Sequence, residues 1–84
     1  MRYCIVTFRS VMPAQHAEHL LKSRGINCQV HRTPRRLQNR GCGYSLQVSM
    51  KEIHKCIQLL QENDIAYSKV YAISEGNDAE ELFL

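Results

Sequence analysis

The order of apolar segments along this chain predicts an α+β sandwich built as β-α-β-β-α-β. Three observations predict it. Four segments are rich in β-branched and aromatic residues, or alternate with period two. Two segments repeat apolar residues with the helical period. Each helical segment stands between two strand-like ones, with turn residues at the junctions.

The first strand covers residues 2–8, Arg-Tyr-Cys-Ile-Val-Thr-Phe, with almost no polar interruption, as a central strand requires. Residues 11–24 follow as a helix. Ser10 is placed to cap it, Pro13 is tolerated in its first turn, and Ala14, Ala17, Leu20 and Leu21 form its apolar face. Gly25 sits where a left-handed C-terminal cap belongs. His16 and His19 fall on the rim of that helix, and an i,i+3 pair without a third ligand is a weak metal signal.

Residues 26–32 alternate, with Ile26, Cys28 and Val30 on one face and Asn27, Gln29 and His31 on the other. Residues 44–49 alternate again, with Tyr44, Leu46 and Val48 inward. Ser49-Met50-Lys51-Glu52 has the Ser-x-x-Glu spacing of a capping box. It opens a second helix whose stripe is Ile53, Cys56, Ile57 and Leu60, ended by Asn63-Asp64. Residues 66–73 form the fourth strand.

Two right-handed β-α-β crossovers make these elements a four-stranded antiparallel sheet, order 4-1-3-2, with both helices on one face. That is the ferredoxin-like sandwich, one domain over 1–73 followed by an acidic tail over 74–84. The tail is expected either to be disordered, as termini often are, or to anchor Leu82, Phe83 and Leu84 on an apolar surface while its acids meet the basic loop. The same reasoning expects the tail and the loop between strands two and three at one end of the sheet, so that acids and arginines become neighbours. Open edges on strands two and four allow a homodimer.

Composition narrows the function classes. Eighty-four residues suffice for one modest core. No apolar run approaches the ~20 residues of a membrane helix, so no membrane role is expected. With no separate apolar leader segment before the first strand, a cytoplasmic setting is expected, where the four cysteines stay reduced. Neither Cys-x-x-Cys nor zinc-finger spacing occurs, so neither a metal nor another cofactor is implied. Net charge is +3, but the tail holds Glu75, Asp78, Glu80 and Glu81 and no base. The remainder sets 11 bases against 4 acids, near +7, which suits an anionic partner as well as a solvated surface.

One stretch escapes the scaffold pattern: Thr33-Pro34-Arg35-Arg36-Leu37-Gln38-Asn39-Arg40-Gly41-Cys42-Gly43-Tyr44. A loop of this length in so small a domain is usually functional or disordered. It places Cys42 between Gly41 and Gly43, with Arg35, Arg36 and Arg40 nearby in sequence. Glycine neighbours expose a thiol and free the backbone, and cations favour the nucleophilic thiolate. Pro34 keeps Thr33 out of helical conformation.

The Thr33-Pro34-Arg35…Cys42-Gly43 spacing, followed by a strand with Leu46, resembles a small family of selenium/sulfur (Se/S) carrier protein-like domains, formerly a domain of unknown function. The resemblance runs from about Tyr3 to Tyr71 and includes Thr7-Phe8, Ala17-Glu18 and Leu20-Leu21. Typical members have small residues, mostly serine, before the cysteine. Here Gln38, Asn39, Arg40 and Gly41 stand there, which adds charge beside the thiol. The Cys-Pro-x-Pro of better-understood sulfur-transfer proteins is absent. The resemblance implies a chemical role for Cys42.

Two functions follow as expectations. In the first, Cys42 carries sulfur or selenium as a persulfide or selenosulfide between donor and acceptor proteins. Arg35, Arg36 and Arg40 stabilise the thiolate, and Thr33, Pro34, Gly41 and Gly43 shape the loop. In the second, the arginines hold a small anion or nucleotide in a regulatory or protein-interaction module, and Cys42 is passive. RNA binding is disfavoured, because only Tyr3 and Tyr44 could serve as a stacking platform and Tyr44 is expected to pack inward. No Cys-His-Asp set is legible, so a carrier or binding protein is expected rather than a turnover enzyme.

Overall fold

The computed structural model of the chain describes residues 3–37, 43–74, 76 and 78–83, with the side chain of Arg36 outside that description. Five antiparallel strands form one sheet: β1 (Tyr3–Phe8), β2 (Cys28–Arg32), β3 (Tyr44–Ser49), β4 (Val70–Ile73) and β5 (Ala79–Leu82). Two helices, α1 (Val11–Ser23) and α2 (Ile53–Glu62), complete the α+β arrangement. The strand order is β2-β3-β1-β4-β5. The four expected strands thus stand in the expected order, and a fifth adds to the β4 edge.

That fifth strand is the main departure from the sequence reading. Of the two readings of the tail, disordered or anchored, the anchoring of Leu82 is the one observed: the tail folds back along β4, pairing Ala79 with Ile73 and Leu82 with Val70. Leu82 supplies the reason, since it packs against the core that β4 helps to build. A Glu81–Lys69 ion pair at 3.7 Å adds little, both side chains being about one-third exposed. The β4 edge expected to be open is therefore covered.

Register fixes which residues share a face. Cys4, Val6 and Phe8 of β1 lie beside Val48, Leu46 and Tyr44 of β3, which lie beside Cys28, Val30 and Arg32 of β2. The buried members of this row pack with Ala14, Ala17 and Leu21 of α1 and Ile53, Cys56, Ile57 and Leu60 of α2 in one core. Both helices therefore cover the same face. Phe8 and Leu60 are fully buried there, each contributing about 1.5–3 kcal/mol relative to exposure. The other face carries Tyr3, Ile5, Tyr71 and Ile73 on neighbouring strands. Tyr71 is an aromatic on that face which the sequence reading did not count.

Local chemistry explains the boundaries. α1 ends in a Schellman cap: Gly25 takes φ 80°, its N–H donates to the Lys22 carbonyl, and the Ile26 N–H donates to Leu21. α2 ends in the same way with Asp64 at φ 56°, and Ile65 donates to Leu60. At the N-termini the expectations divide. Ser49 accepts from the Lys51 N–H and caps a 3-10 turn, Met50–Glu52, that leads into α2. Ser10 stands at the N-cap of α1 in extended conformation, but its side chain makes no capping bond.

The fourth strand is shorter than expected, since regular pairing begins at Val70. Just before it, Thr7 donates its N–H to the Lys69 carbonyl and accepts at its own carbonyl from the Ser68 N–H. Two residues oppose one, as in a β-bulge. The buried Thr7 hydroxyl accepts from the Lys69 N–H at 3.0 Å and so satisfies the irregular step.

The ends of the sheet correct a further expectation. β3 begins at Tyr44 opposite Phe8, so the β2–β3 loop leaves at the C-terminal end of β1. β4 ends at Ile73 opposite Tyr3, the other end. The tail therefore departs from the end remote from the loop. When β5 returns, it lies beyond β4 and β1 from the loop-bearing hairpin, about 14 Å away at ~4.8 Å per strand. Its acid Glu81 meets Lys69. Antiparallel topology alone requires the tail to leave the sheet at the end remote from the loop.

Candidate functional site

The loop at residues 33–43 grows from the β2–β3 hairpin. Its feet are well held. The last regular pair is Arg32 with Tyr44, and the Thr33 N–H then donates to the Gly43 carbonyl at 3.0 Å, extending the ladder by one step. Thr33 is 2% exposed, so the foot is part of the packed structure. Pro34 cannot donate to a ladder, and the chain leaves the sheet there in a 3-10 turn, Arg35–Leu37, closed by the Leu37 N–H on the Pro34 carbonyl at 2.8 Å. Arg35 is exposed and Leu37 half-buried.

Two further features mark this end of the sheet. The Arg32 guanidinium lies over the Tyr44 ring, 5.7 Å from its centroid. A cation–π contact of this kind stabilises by about 0.5–1 kcal/mol at an exposed site. Sequence reasoning placed Arg32 and Tyr44 on either side of the loop without pairing them. Hairpin register supplies the missing signal, since the last residue before such a loop and the first after it face each other. At Gly43, an added Cβ would meet nothing within 4 Å, so packing does not demand glycine there. Cys42, Arg40 and Gly41 lie outside the described residues, as do Gln38, Asn39 and the Arg36 side chain.

The other three cysteines are placed clearly. Cys4 and Cys56 are 0% exposed and Cys28 is 2% exposed, all on the helix-packed face. Burial pushes each thiol up from 9.0. Cys28 is raised further by the Glu18 carboxylate and lowered in part by Lys22. Cys56 is pushed up to about 12, first by burial and then by Cys28 and Cys4. The Cys4 thiol donates to the Met50 thioether at 3.3 Å, and the Cys28 thiol to the Glu18 carbonyl at 3.8 Å. Such thiols stay protonated near neutrality and behave as small apolar side chains.

The histidines form no centre. His16 and His19 are exposed on α1, and His31 Nε2 lies 3.1 Å from the Gln29 side chain. Among the described residues, no group of three His, Cys, Asp or Glu is placed to hold a metal. No described helix is long and apolar enough to cross a membrane.

Comparison with known proteins adds one finding. No curated protein and no solved structure matches the chain. One family model does, over residues 3–72, which takes in both helices, the loop and nearly all of β4 while leaving β5 outside. That span exceeds half of the chain, and the chain belongs to the family described as "Putative Se/S carrier protein-like".

Proposed function

We propose that the protein carries sulfur or selenium on Cys42 as a persulfide or selenosulfide. The observation that carries this reading is the division of the four cysteines. Three are buried and raised in pKa, which disqualifies them as nucleophiles at neutral pH. The fourth falls in the Thr33-Pro34-Arg35…Cys42-Gly43 motif, within the matched span.

The chemistry is a thiol–persulfide exchange. The Cys42 thiolate attacks the outer sulfur of a donor persulfide. A new S–S bond forms at Cys42, the donor's S–S bond breaks, and the donor leaves as thiolate. Discharge reverses the roles: an acceptor nucleophile takes the outer sulfur and Cys42 leaves as thiolate. Neither step needs an external oxidant or reductant, and selenium follows the same course through an S–Se bond. One cysteine suffices, because the transfer is completed by the acceptor. The role of Arg35, Arg36 and Arg40 is to favour the anion at both stages. Partners on this reading are a chalcogen donor and an acceptor protein.

The test is loading. Protein incubated with a low-molecular-weight persulfide should gain the mass of one sulfur atom, mapped to the Cys42 peptide and lost on reduction. Cys42→Ser should gain none. Loading that persists in Cys42→Ser, or that maps to Cys4, Cys28 or Cys56, defeats the proposal.

A further inference from the structure

The outer edge of β2 carries a device that the carrier reading does not use. The Val30 N–H points away from β3 and donates to Glu18 Oε2 of α1 at 3.0 Å. The same oxygen lies 3.5 Å from Lys22 Nζ, one helical turn on, which fixes the carboxylate in place. Ladder bonds alternate along an antiparallel strand, so the backbone groups of Cys28, Val30 and Arg32 face outward, while Gln29 and His31 bond to β3. Glu18 thus occupies the central donor of an otherwise unpaired edge. The opposite edge of the four-strand core is covered by β5, which leaves this one to be managed by a side chain.

The geometry points to a self-pairing surface: the β2 edge is complementary to a second copy of itself, and Glu18 holds it closed. A two-fold axis through Val30 pairs Val30 with its equivalent and exchanges both N–H···O bonds at the centre. Cys28 then stands opposite Arg32 of the second copy. On the uncovered face Gln29 stands opposite the second copy's His31, the same two groups that already meet at 3.1 Å within one chain. No like charges oppose each other. Val30, half-buried against the core, meets its equivalent. The carboxylate takes the N–H that the second strand would need, and a forming strand interface would strip water from the Glu18–Lys22 pair without offering it a new partner. β5 differs, because a two-fold pairing of its outer edge brings Glu80 and Glu81 of both copies together.

The experiment is a concentration series by analytical ultracentrifugation on the full chain and three variants, with helix content checked by circular dichroism. The unaltered chain should sediment as a monomer. Glu18→Ala should double the mass with rising concentration. Glu18→Gln keeps an acceptor on a side chain of the same length and should remain monomeric. Glu18→Ala with Val30→Pro removes the outward donor at a position where an edge strand tolerates proline, and should return to monomer. If Glu18→Ala loses helix content, Glu18→Ser replaces it, having a side chain too short to reach β2. A monomeric Glu18→Ala at every concentration overturns the proposal. So does association that survives Val30→Pro, or an unaltered chain that already dimerises through β2.

Discussion

The helix-packed face of the sheet and the hairpin loop at its end divide the four cysteines three to one, and the division follows the hydrophobic period. Cys4, Cys28 and Cys56 occupy positions where a strand or helix repeat calls for an apolar residue, and all three are buried. Burial, not residue type, raises their pKa. Cys42 stands where no repeat calls for anything. The two regions also differ in how they are held. The core is a continuous packing of side chains, whereas the described part of the loop is tied at its feet by a ladder step, a 3-10 turn and the Arg32–Tyr44 stack.

Exchanging chemistry between the two regions gives the largest expected effect. Cys42→Ser should abolish sulfur loading, by at least about 100-fold, with an unchanged melting temperature. Cys28→Ser should do the reverse, loading normally while losing about 1–3 kcal/mol from a buried hydroxyl. Paired loading assays and thermal melts check both.

Next in size is a packing change with no thiol involved. Leu60→Ala should cost about 2–5 kcal/mol by cavity formation. Below its lowered melting temperature it should load at the normal rate, because the fully buried Leu60 belongs to the core rather than to the loop.

Alkaline pH sharpens the contrast in another way. Unfolded thiols ionise near 9, while the folded core holds Cys56 protonated up to about 12 and raises Cys4 and Cys28 as well. Their contribution to stability is complete below the unfolded value and is lost as pH rises through the folded one. Urea midpoints should therefore fall from about pH 9 upward, and the fall should be shallower in Cys56→Ala than in the unaltered chain.

The smallest effects belong to the loop's surroundings. Arg35→Ala should slow alkylation of Cys42 at neutral pH by about 3- to 10-fold, towards the low end of what one cation supplies, because Arg35 is exposed and screened. Gly43→Ala should leave stability within about 0.5 kcal/mol, since a Cβ there meets nothing. It should slow transfer to a protein acceptor more than loading from a small persulfide, as measured by single-turnover transfer.

Much of this contrast was legible in the sequence. Period two set the inward rows Cys28–Val30 and Leu46–Val48, and period 3.6 set Ile53, Cys56, Ile57 and Leu60. Gly25 marked a helix end by its need for positive φ. The fifth strand was not legible, because Ala-Glu-Glu-Leu has neither alternation nor β-branching and is recruited by Leu82 reaching an edge already built. The error over the two ends of the sheet was one of geometry, since an antiparallel fourth strand must finish away from the β2–β3 loop. Glu18 was hidden for a different reason. Its bond to the Val30 N–H joins residues twelve apart across the edge of the sandwich, where no local period operates. At the loop, Thr33 and Gly43 stand out in the sequence as candidate shaping residues, and the bond between them requires hairpin register to be seen.

On the carrier proposal one thiol of four, Cys42, is chemically available. Alkylation across a pH series, followed residue by residue by mass spectrometry, tests it most directly, with Arg35→Ala alongside. Cys42 alone should react in the folded protein, faster at neutral pH than a free thiol of pKa ~8.5 would, and Arg35→Ala should slow it. Cys4, Cys28 and Cys56 should react only on unfolding. A Cys42 that reacts no faster than an ordinary thiol, or no faster than the three core cysteines, rules out a carrier thiol at this position.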